Sequence, residues 1–144
     1  MWTAERLLKL LLIGTGVVCG SAIVPLFMPR EWMAIGHEWL GMGRFPDPPV
    51  AEYLARLTSG LYAFYGGLVL LLARDVRRHS ALITYQAIAI AALATVGLLY
   101  GGMPRFWLLG DFASAGGMCA ATLLLQWRIA AGKGTRNDGM TRPE

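Results

Sequence analysis

Residues 80–104 decide the fold, and they read SALITYQAIAIAALATVGLLYGGMP. The stretch holds no charged side chain, and Gln86 is its main polar interruption. An α-helix needs about 20 predominantly apolar residues to cross the hydrocarbon core of a bilayer. The stretch therefore predicts a membrane-spanning helix from Ser80 to Pro104.

Three further stretches have the same character. The first is uncharged from Leu10 to Pro29, and the second from Leu57 to Ala73. Seventeen helical residues rise only about 26 Å, so we place the start of the second span near Val50. The last span starts near Phe106 and ends at Trp127. The sequence thus predicts an all-α membrane protein, a bundle of four antiparallel transmembrane helices.

The composition agrees with a membrane protein of one domain. Hydrophobic residues make up 56% of the 144 residues, charged residues 15%, and the mean hydropathy is +0.49. A soluble domain usually has about a quarter of its residues charged. We assign residues 1–130 to the membrane domain and predict that the polar residues 131–144 form a disordered cytoplasmic tail. The net charge is +4, but the basic residues do not form a stripe on a soluble module. No nucleic-acid partner is therefore predicted.

A cleaved signal peptide is the alternative interpretation of the first span. Arg6 and Lys9 would form its charged start, and Gly20-Ser21-Ala22 would supply small residues at a cleavage site. The apolar run continues through Phe27 to a full membrane length, which favours a span.

The loop between the first two spans predicts an amphipathic helix from Glu31 to Gly43. Its apolar residues recur at helical spacing, whereas its charged residues fall on the opposite side. Tryptophans on such a face favour the membrane–water boundary, so we expect this helix to lie flat on the membrane. Asp47-Pro48-Pro49 then ends it. The apolar face consists of Trp32, Ile35, Gly36, Trp39 and Leu40, and the polar face of Glu31, His37 and Glu38.

The distribution of basic residues predicts the orientation. Four spans place the N-terminus, the second loop and the C-terminus on one side of the membrane. The positive-inside rule assigns the side richer in Lys and Arg to the cytoplasm. That side holds nine of the 13 basic residues: Arg6, Lys9, Arg74, Arg77, Arg78, Arg128, Lys133, Arg136 and Arg142.

Small residues at four-residue spacing occur in every span. Such faces let helices approach closely, which matters in lipid because no hydrophobic force drives association there. Two interpretations stay open: tight packing within one chain, or an interface with a second copy or a partner membrane protein. The faces are Gly16 and Gly20; Ser59, Ala63 and Gly67; Gly97 and Gly101; and Ala113, Gly117 and Ala121.

Two charged residues inside the spans are candidates for pairing. Arg56 and Asp111 both lie roughly 9 Å below the points at which their helices enter the outer side. Charges within spans are usually paired or functional. The pair could be a structural ion pair, or part of an outward-facing polar pocket beneath the amphipathic helix. The further residues of that candidate pocket are Glu52, Tyr62, Tyr65, Trp107, His37 and Glu38.

No sequence motif predicts catalysis, a cofactor or a metal. The chain has no nucleotide-binding glycine loop, no GxSxG and no HExxH. Cys19 and Cys119 each lie inside an apolar run without CxxC or zinc spacing, so we predict that both are small packing residues.

Several segments resemble a group of short four-span bacterial membrane proteins. These are YLARLTSGLYA (53–63) with Gly66-Gly67, RDVRR (74–78), WLG (39–41), DPP (47–49) and GMP (102–104). More distantly, the layout is similar in topology to DoxX-like bundles. The resemblance covers the chain from Trp39 to Asp111 and implies a four-helix fold in a bacterial inner membrane, but no activity.

The sequence therefore predicts a non-catalytic membrane protein, either an accessory subunit or a binder of a small apolar or lipid-like ligand. A small membrane enzyme with an outer-leaflet polar pocket and a small oligomeric transporter are the alternatives. Small multidrug exporters need a carboxylate within the first span. Residues 10–29 contain none, which counts against that class.

Overall fold

The computed structural model describes residues 3–100, 102 and 105–138, with the backbone alone for residues 132–138. Within these residues the chain is helical and contains no strand. Four stretches are long and apolar enough to cross a membrane: Ala4–Phe27, Pro49–Leu72, Ser80–Tyr100 and Arg105–Ala131. The predicted all-α fold with four membrane-spanning helices is confirmed. The helices are α1 (Ala4–Gly20), α2 (Ile23–Phe27), α3 (Arg30–Trp39), α4 (Pro49–Leu72), α5 (Ser80–Tyr100) and α6 (Arg105–Asp138).

Apolar side chains dominate the protein surface. Among the described residues only eight apolar side chains are buried, whereas 35 large apolar side chains are exposed. Water would make such a surface unstable, because each exposed apolar side chain loses the free energy gained on burial. Contact with lipid tails removes that penalty. The apolar surface is therefore compatible with a protein that is embedded in a bilayer.

The chain divides into two compact units. The α2–α4 unit comprises residues 12–73, and the α5–α6 unit comprises residues 1–11 and 74–144. Each unit packs its main helices antiparallel. The predicted antiparallel arrangement thus holds within each unit.

A proline divides the first span into the helices α1 and α2. Pro25 has no amide hydrogen to donate to the carbonyl of Ser21, and its ring crowds that carbonyl. The backbone here forms hydrogen bonds that span three residues instead of four. The Ala22 amide donates to the Cys19 carbonyl (3.1 Å), and the Val24 amide donates to the Ser21 carbonyl (3.0 Å). The predicted first span is present as Ala4–Phe27, and its helix is interrupted at Ser21 and Ala22.

Glycines mediate the contact between α1 and α4. A Cβ atom placed on Gly66 would lie 2.3 Å from the Gly20 nitrogen and 2.6 Å from the Gly16 carbonyl oxygen. A Cβ atom on Gly16 would in turn lie 2.7 Å from Cγ of Leu70. The predicted Gly16–Gly20 face is therefore the site of close helix packing.

The partner face on α4 differs from the prediction by one residue. The sequence favoured Ser59, Ala63 and Gly67, yet Gly66 makes the contact, while a Cβ on Gly67 would meet no described atom within 4 Å. One residue rotates a helix by about 100°, so Gly67 lies on another side. The predicted faces at Gly97 and Gly117 are equally open within the described residues, and Gly101 lies outside them.

Polar bonds between α5 and α6 fix their register in the α5–α6 unit. The Thr84 hydroxyl donates to Oε1 of Gln126, and Nε2 of Gln126 donates to the Ser80 carbonyl at 2.9 Å. Gln126 comes late in α6 and Ser80 begins α5, so the two helices run antiparallel. The buried side chains of this unit are Leu8, Val76, Ile83, Ala94, Ala115 and Thr122.

The helix α6 continues to Asp138, past Ala130, where the sequence predicts a disordered tail to begin. Helix propensity does not explain this extension, because Gly132 and Gly134 are poor helix formers. Residues 139–144 lie outside the described residues, and the division into a membrane domain and a disordered tail stays a prediction.

Candidate functional site

The helix α3 covers most of the segment predicted to be an amphipathic helix, but it ends at Trp39 rather than at Gly43 because glycines follow it. The Met42 amide donates to the His37 carbonyl (3.1 Å) and the Gly41 amide to the Glu38 carbonyl (2.9 Å). This pair of bonds is a Schellman motif, which needs a left-handed residue after the helix. Gly41 supplies it with a φ of 72°. The chain therefore leaves α3 in a defined direction.

Two side chains of α3 fold the following loop back onto the helix. Nδ1 of His37 donates to the Gly43 carbonyl at 2.9 Å, and its ring meets Phe45 edge-on at 5.5 Å. Nη2 of Arg30 contacts Oδ1 of Asp47 at 3.2 Å, just before the prolines that begin α4. The segment between α3 and α4 is thus fixed at both ends by polar contacts.

Arg56 of α4 organises the junction between α2 and α3. Its Nη1 donates to the Leu26 carbonyl at 2.8 Å, and its Nη2 donates to the Met28 carbonyl at 3.0 Å. Nε and Nη2 also donate to Oε1 of Glu52, at 3.1 and 2.8 Å. A helix end leaves carbonyls without intrahelical partners, and a cation there satisfies them and opposes the helix dipole. Arg56 therefore caps the first span and links it to α4.

The structure brings together only part of the predicted pocket. Glu52 is paired with Arg56, as the sequence suggested. His37, however, bonds to its own loop, and Glu38 is exposed. Tyr62 is also exposed, and Tyr65 is half-buried. The direct partners of Arg56 are a carboxylate and two backbone carbonyls, an arrangement that joins helices.

Asp111 and Trp107 belong to the other compact unit. Asp111 lies in the second turn of α6 with an exposed side chain, and its carbonyl accepts from the Ser114 hydroxyl at 2.9 Å. Trp107 is half-buried and contacts the ring of Phe106 at 5.6 Å. The Arg56–Asp111 pair and the pocket that combines both units stay predictions.

Apolar grooves flank Trp32 on both sides, and the sequence analysis did not predict them. Each has a volume of about 380 Å³. The exposed fractions of Trp32, Ile35 and Trp39 are 65%, 67% and 85%, so this face of α3 contacts little of the chain itself. One groove is lined by Ile23, Val24, Phe27, Met28, Pro29 and Trp32, and the other by Met28, Trp32, Ile35, Gly36 and Trp39.

Pro25 was the sequence signal that could have revealed the first groove. A proline inside a span predicts a kink, and a kink turns the last apolar residues of the span toward whatever follows. Here the following element is α3. The carbonyls of Leu26 and Met28 could not have been singled out, because every residue has a carbonyl.

Comparison with protein-family models, with curated proteins and with solved structures finds no match to this chain. The resemblance to four-span bacterial membrane proteins, and the more distant DoxX-like topology, stay predictions.

Proposed function

We propose that this chain is a non-catalytic protein of a bacterial inner membrane that binds a small apolar or lipid-like ligand in the grooves beside Trp32. The single observation that carries the proposal is the pair of grooves themselves. Ligand sites are concave, mostly apolar and about 300–1,000 Å³ in volume. Two grooves of about 380 Å³ that share Met28 and Trp32 offer such a site.

The grooves are held in shape by polar bonds at the junction between α2 and α3. Arg56 fixes the carbonyls of Leu26 and Met28, and Arg30 contacts Asp47. A preformed site binds more tightly because less conformational entropy is lost on binding. The polar network around Arg56 then serves the groove by positioning α3.

The location at the membrane boundary follows from the amphipathic pattern and from the positive-inside rule. Nine of the 13 basic residues lie on the side of the termini, which assigns the termini to the cytoplasm and α3 to the outer surface. Trp32 and Trp39 suit the headgroup boundary. A ligand would therefore enter from the outer leaflet.

An accessory role beside a partner membrane protein, or beside a second copy of this chain, is the second candidate. Gly67, Gly97 and Gly117 leave open space where a Cβ would be, as far as the described residues show. Small residues that leave the backbone exposed to lipid favour the packing of a further helix at that position. Nothing in the geometry favours the enzyme or the transporter over these two.

Saturable quenching of Trp32 and Trp39 fluorescence by a brominated fatty acid tests the proposal. Trp107 and Trp127, which do not line the grooves, and Trp2 are replaced by Phe, and the protein is kept in detergent micelles. We expect Gly36→Leu to reduce the quenching, because it fills the second groove and a Cβ there would meet no described atom within 4 Å. Gly14→Leu is the matched control, since its Cβ is equally unopposed and lies away from the groove. Quenching that never saturates, or that is equal in both variants, would contradict the proposal.

A further inference from the structure

Three elements meet at one end of the α5–α6 unit. Nε of Arg77, in the turn before α5, donates to Oε2 of Glu5 at 2.8 Å. The bonds of Gln126 to Ser80 and Thr84 bring the late part of α6 to the same place. The start of α1, the turn at residues 73–79 and the last membrane turns of α6 therefore share this end.

Positive charge dominates this end. It carries six basic side chains against two acidic ones, and both acidic groups are already engaged. Glu5 is paired with Arg77, and Oδ1 of Asp75 accepts from the Arg78 amide at 3.0 Å. At this end, five exposed basic side chains have no ion pair among the described residues: Arg6, Lys9, Arg74, Arg78 and Arg128.

A cavity of about 210 Å³ lies at this end of the unit, and Arg77 is the basic residue in its wall. Its wall is mostly apolar in surface, although three of the six lining residues are polar. Within the described part of the chain, the Ser80 hydroxyl and Nη1 of Arg77 have no hydrogen-bond partner, so both can donate to a ligand. The wall is formed by Arg77, Ser80 and Gln126 and by Val76, Ile129 and Ala130.

We propose that this cavity binds the phosphate group of an anionic phospholipid of the surrounding bilayer. Arg77 and the Ser80 hydroxyl donate to the phosphate oxygens, and the other basic side chains at this end of the unit attract the net negative headgroup. Arg is well suited to this contact because its N–H groups form a fork that matches phosphate geometry. The site lies in a different unit from the grooves beside Trp32, so neither proposal depends on the other.

The apolar part of the wall selects a lipid over free phosphate. Val76, Ile129 and Ala130 offer a surface to the glycerol and upper acyl carbons, which inorganic phosphate lacks. The excess positive charge also disfavours a zwitterionic headgroup, because such a headgroup has a cationic group of its own. Basic pockets between membrane helices recognise anionic headgroups in this way.

Native mass spectrometry of the full chain tests the site, with phosphatidylglycerol, phosphatidylcholine and inorganic phosphate added separately to the detergent solution. We expect retention of phosphatidylglycerol alone. Arg77→Gln should weaken that binding about fivefold, in line with one basic contact to an anionic membrane. Arg44→Gln removes the same charge from an exposed residue of the α2–α4 unit and should leave the binding unchanged.

Filling the cavity separates a built site from general attraction by positive charge. Ala130→Phe keeps every charge and should weaken binding about as much as Arg77→Gln, whereas Ala92→Phe, exposed in mid-α5, should not. Should Arg77→Gln misfold because Glu5 loses its partner, the double variant Glu5→Gln, Arg77→Gln removes both charges and should show the same loss. Full binding by Ala130→Phe, equal loss in Arg44→Gln, or retention of inorganic phosphate would each overturn the proposal.

Discussion

Gly66 of α4 and Gly20 of α1 pack backbone against backbone, so closely that a Cβ on Gly66 would lie 2.3 Å from the Gly20 nitrogen and 2.8 Å from its Cα. Backbone atoms cannot move aside as the end of a flexible side chain can. The contact therefore specifies glycine at position 66. The neighbouring Gly67 has open space in the same helix and carries no such requirement.

We expect Gly66→Ala to destabilise the protein by about 1–3 kcal/mol, the usual penalty for inserting a methyl group into a packed contact. Gly67→Ala is the control, and it should be neutral or slightly stabilising because alanine favours helix over glycine. Unfolding by SDS in mixed micelles measures both. Equal effects would show that the two helices do not meet at Gly66.

The spans were predictable from sequence because length and lack of charge decide them. The partner face on α4 was not, since the four-residue spacing favours Gly67 whereas the contact is made by the adjacent Gly66, three residues after Ala63. Ser59 and Ala63 pointed to Gly67, but the Ser59 hydroxyl donates to the Ala55 carbonyl at 2.9 Å within its own helix. Which side of a helix meets its neighbour depends on the neighbour, and one sequence pattern does not contain that information.

Replacing Arg56 should be costly. Arg56→Gln leaves the carbonyls of Leu26 and Met28 without their donor and Glu52 without its partner, in a setting where the Arg56 and Glu52 side chains are each only 31% exposed. We expect a loss of about 2–3 kcal/mol, as for other hydrogen bonds to charged groups. The same SDS titration measures it.

Arg30→Gln is the matched control for that variant. It breaks the contact to Asp47, whose carboxylate is fully exposed, so the loss should stay below about 1 kcal/mol. Comparable losses from the two substitutions would contradict the capping role of Arg56.

The candidate site was predictable only in part. Arg56 and Glu52 stood out because charges within spans need partners and because a spacing of four residues places them on one helix face. The sequence directed attention to Asp111 as the partner of Arg56. That pair stays a prediction, whereas the described partners of Arg56 are Glu52 and two carbonyls. The carbonyl partners could not be predicted, because a backbone acceptor leaves no mark in the side-chain sequence.

Acid should loosen the turn before α5. The Arg78 amide donates to Oδ1 of Asp75 and holds the pKa of that carboxyl below its usual value of about 3.8. A lowered folded pKa means that the stabilisation is present above that usual value and is lost as the pH falls through the folded pKa. Hydrogen exchange of the Arg78 amide should therefore accelerate below about pH 4, relative to neighbouring amides.

Asp75→Asn separates charge from hydrogen bonding at this turn. It keeps the side-chain acceptor but cannot titrate, so the extra acceleration in acid should disappear. If the variant shows the same acid response as the parent, another group controls the turn.

Both termini are expected in the cytoplasm. Fusions of a cytoplasm-active and an exterior-active reporter after Arg78 and at the C-terminus should show cytoplasmic activity, and a fusion near Gly43 should show external activity. The reason is the excess of Lys and Arg on the side of the termini. An external C-terminus would rule out this orientation, and a shortened mature N-terminus would support the signal-peptide alternative.

The last prediction concerns the Arg56–Asp111 pair, and a double-mutant cycle decides it. Four of the five guanidinium N–H groups of Arg56 have partners, which leaves one on Nη1 for Asp111. Any change at Arg56 also removes its hydrogen bonds to the carbonyls of Leu26 and Met28. The stability of the double variant alone therefore does not measure the contact between Arg56 and Asp111. The coupling energy subtracts that shared loss. We expect Arg56→Leu with Asp111→Leu to show a coupling of at least about 1 kcal/mol, as Arg56→Leu with Glu52→Leu should. Additive losses at Asp111 together with coupling at Glu52 would mean that Arg56 serves the α2–α4 unit alone.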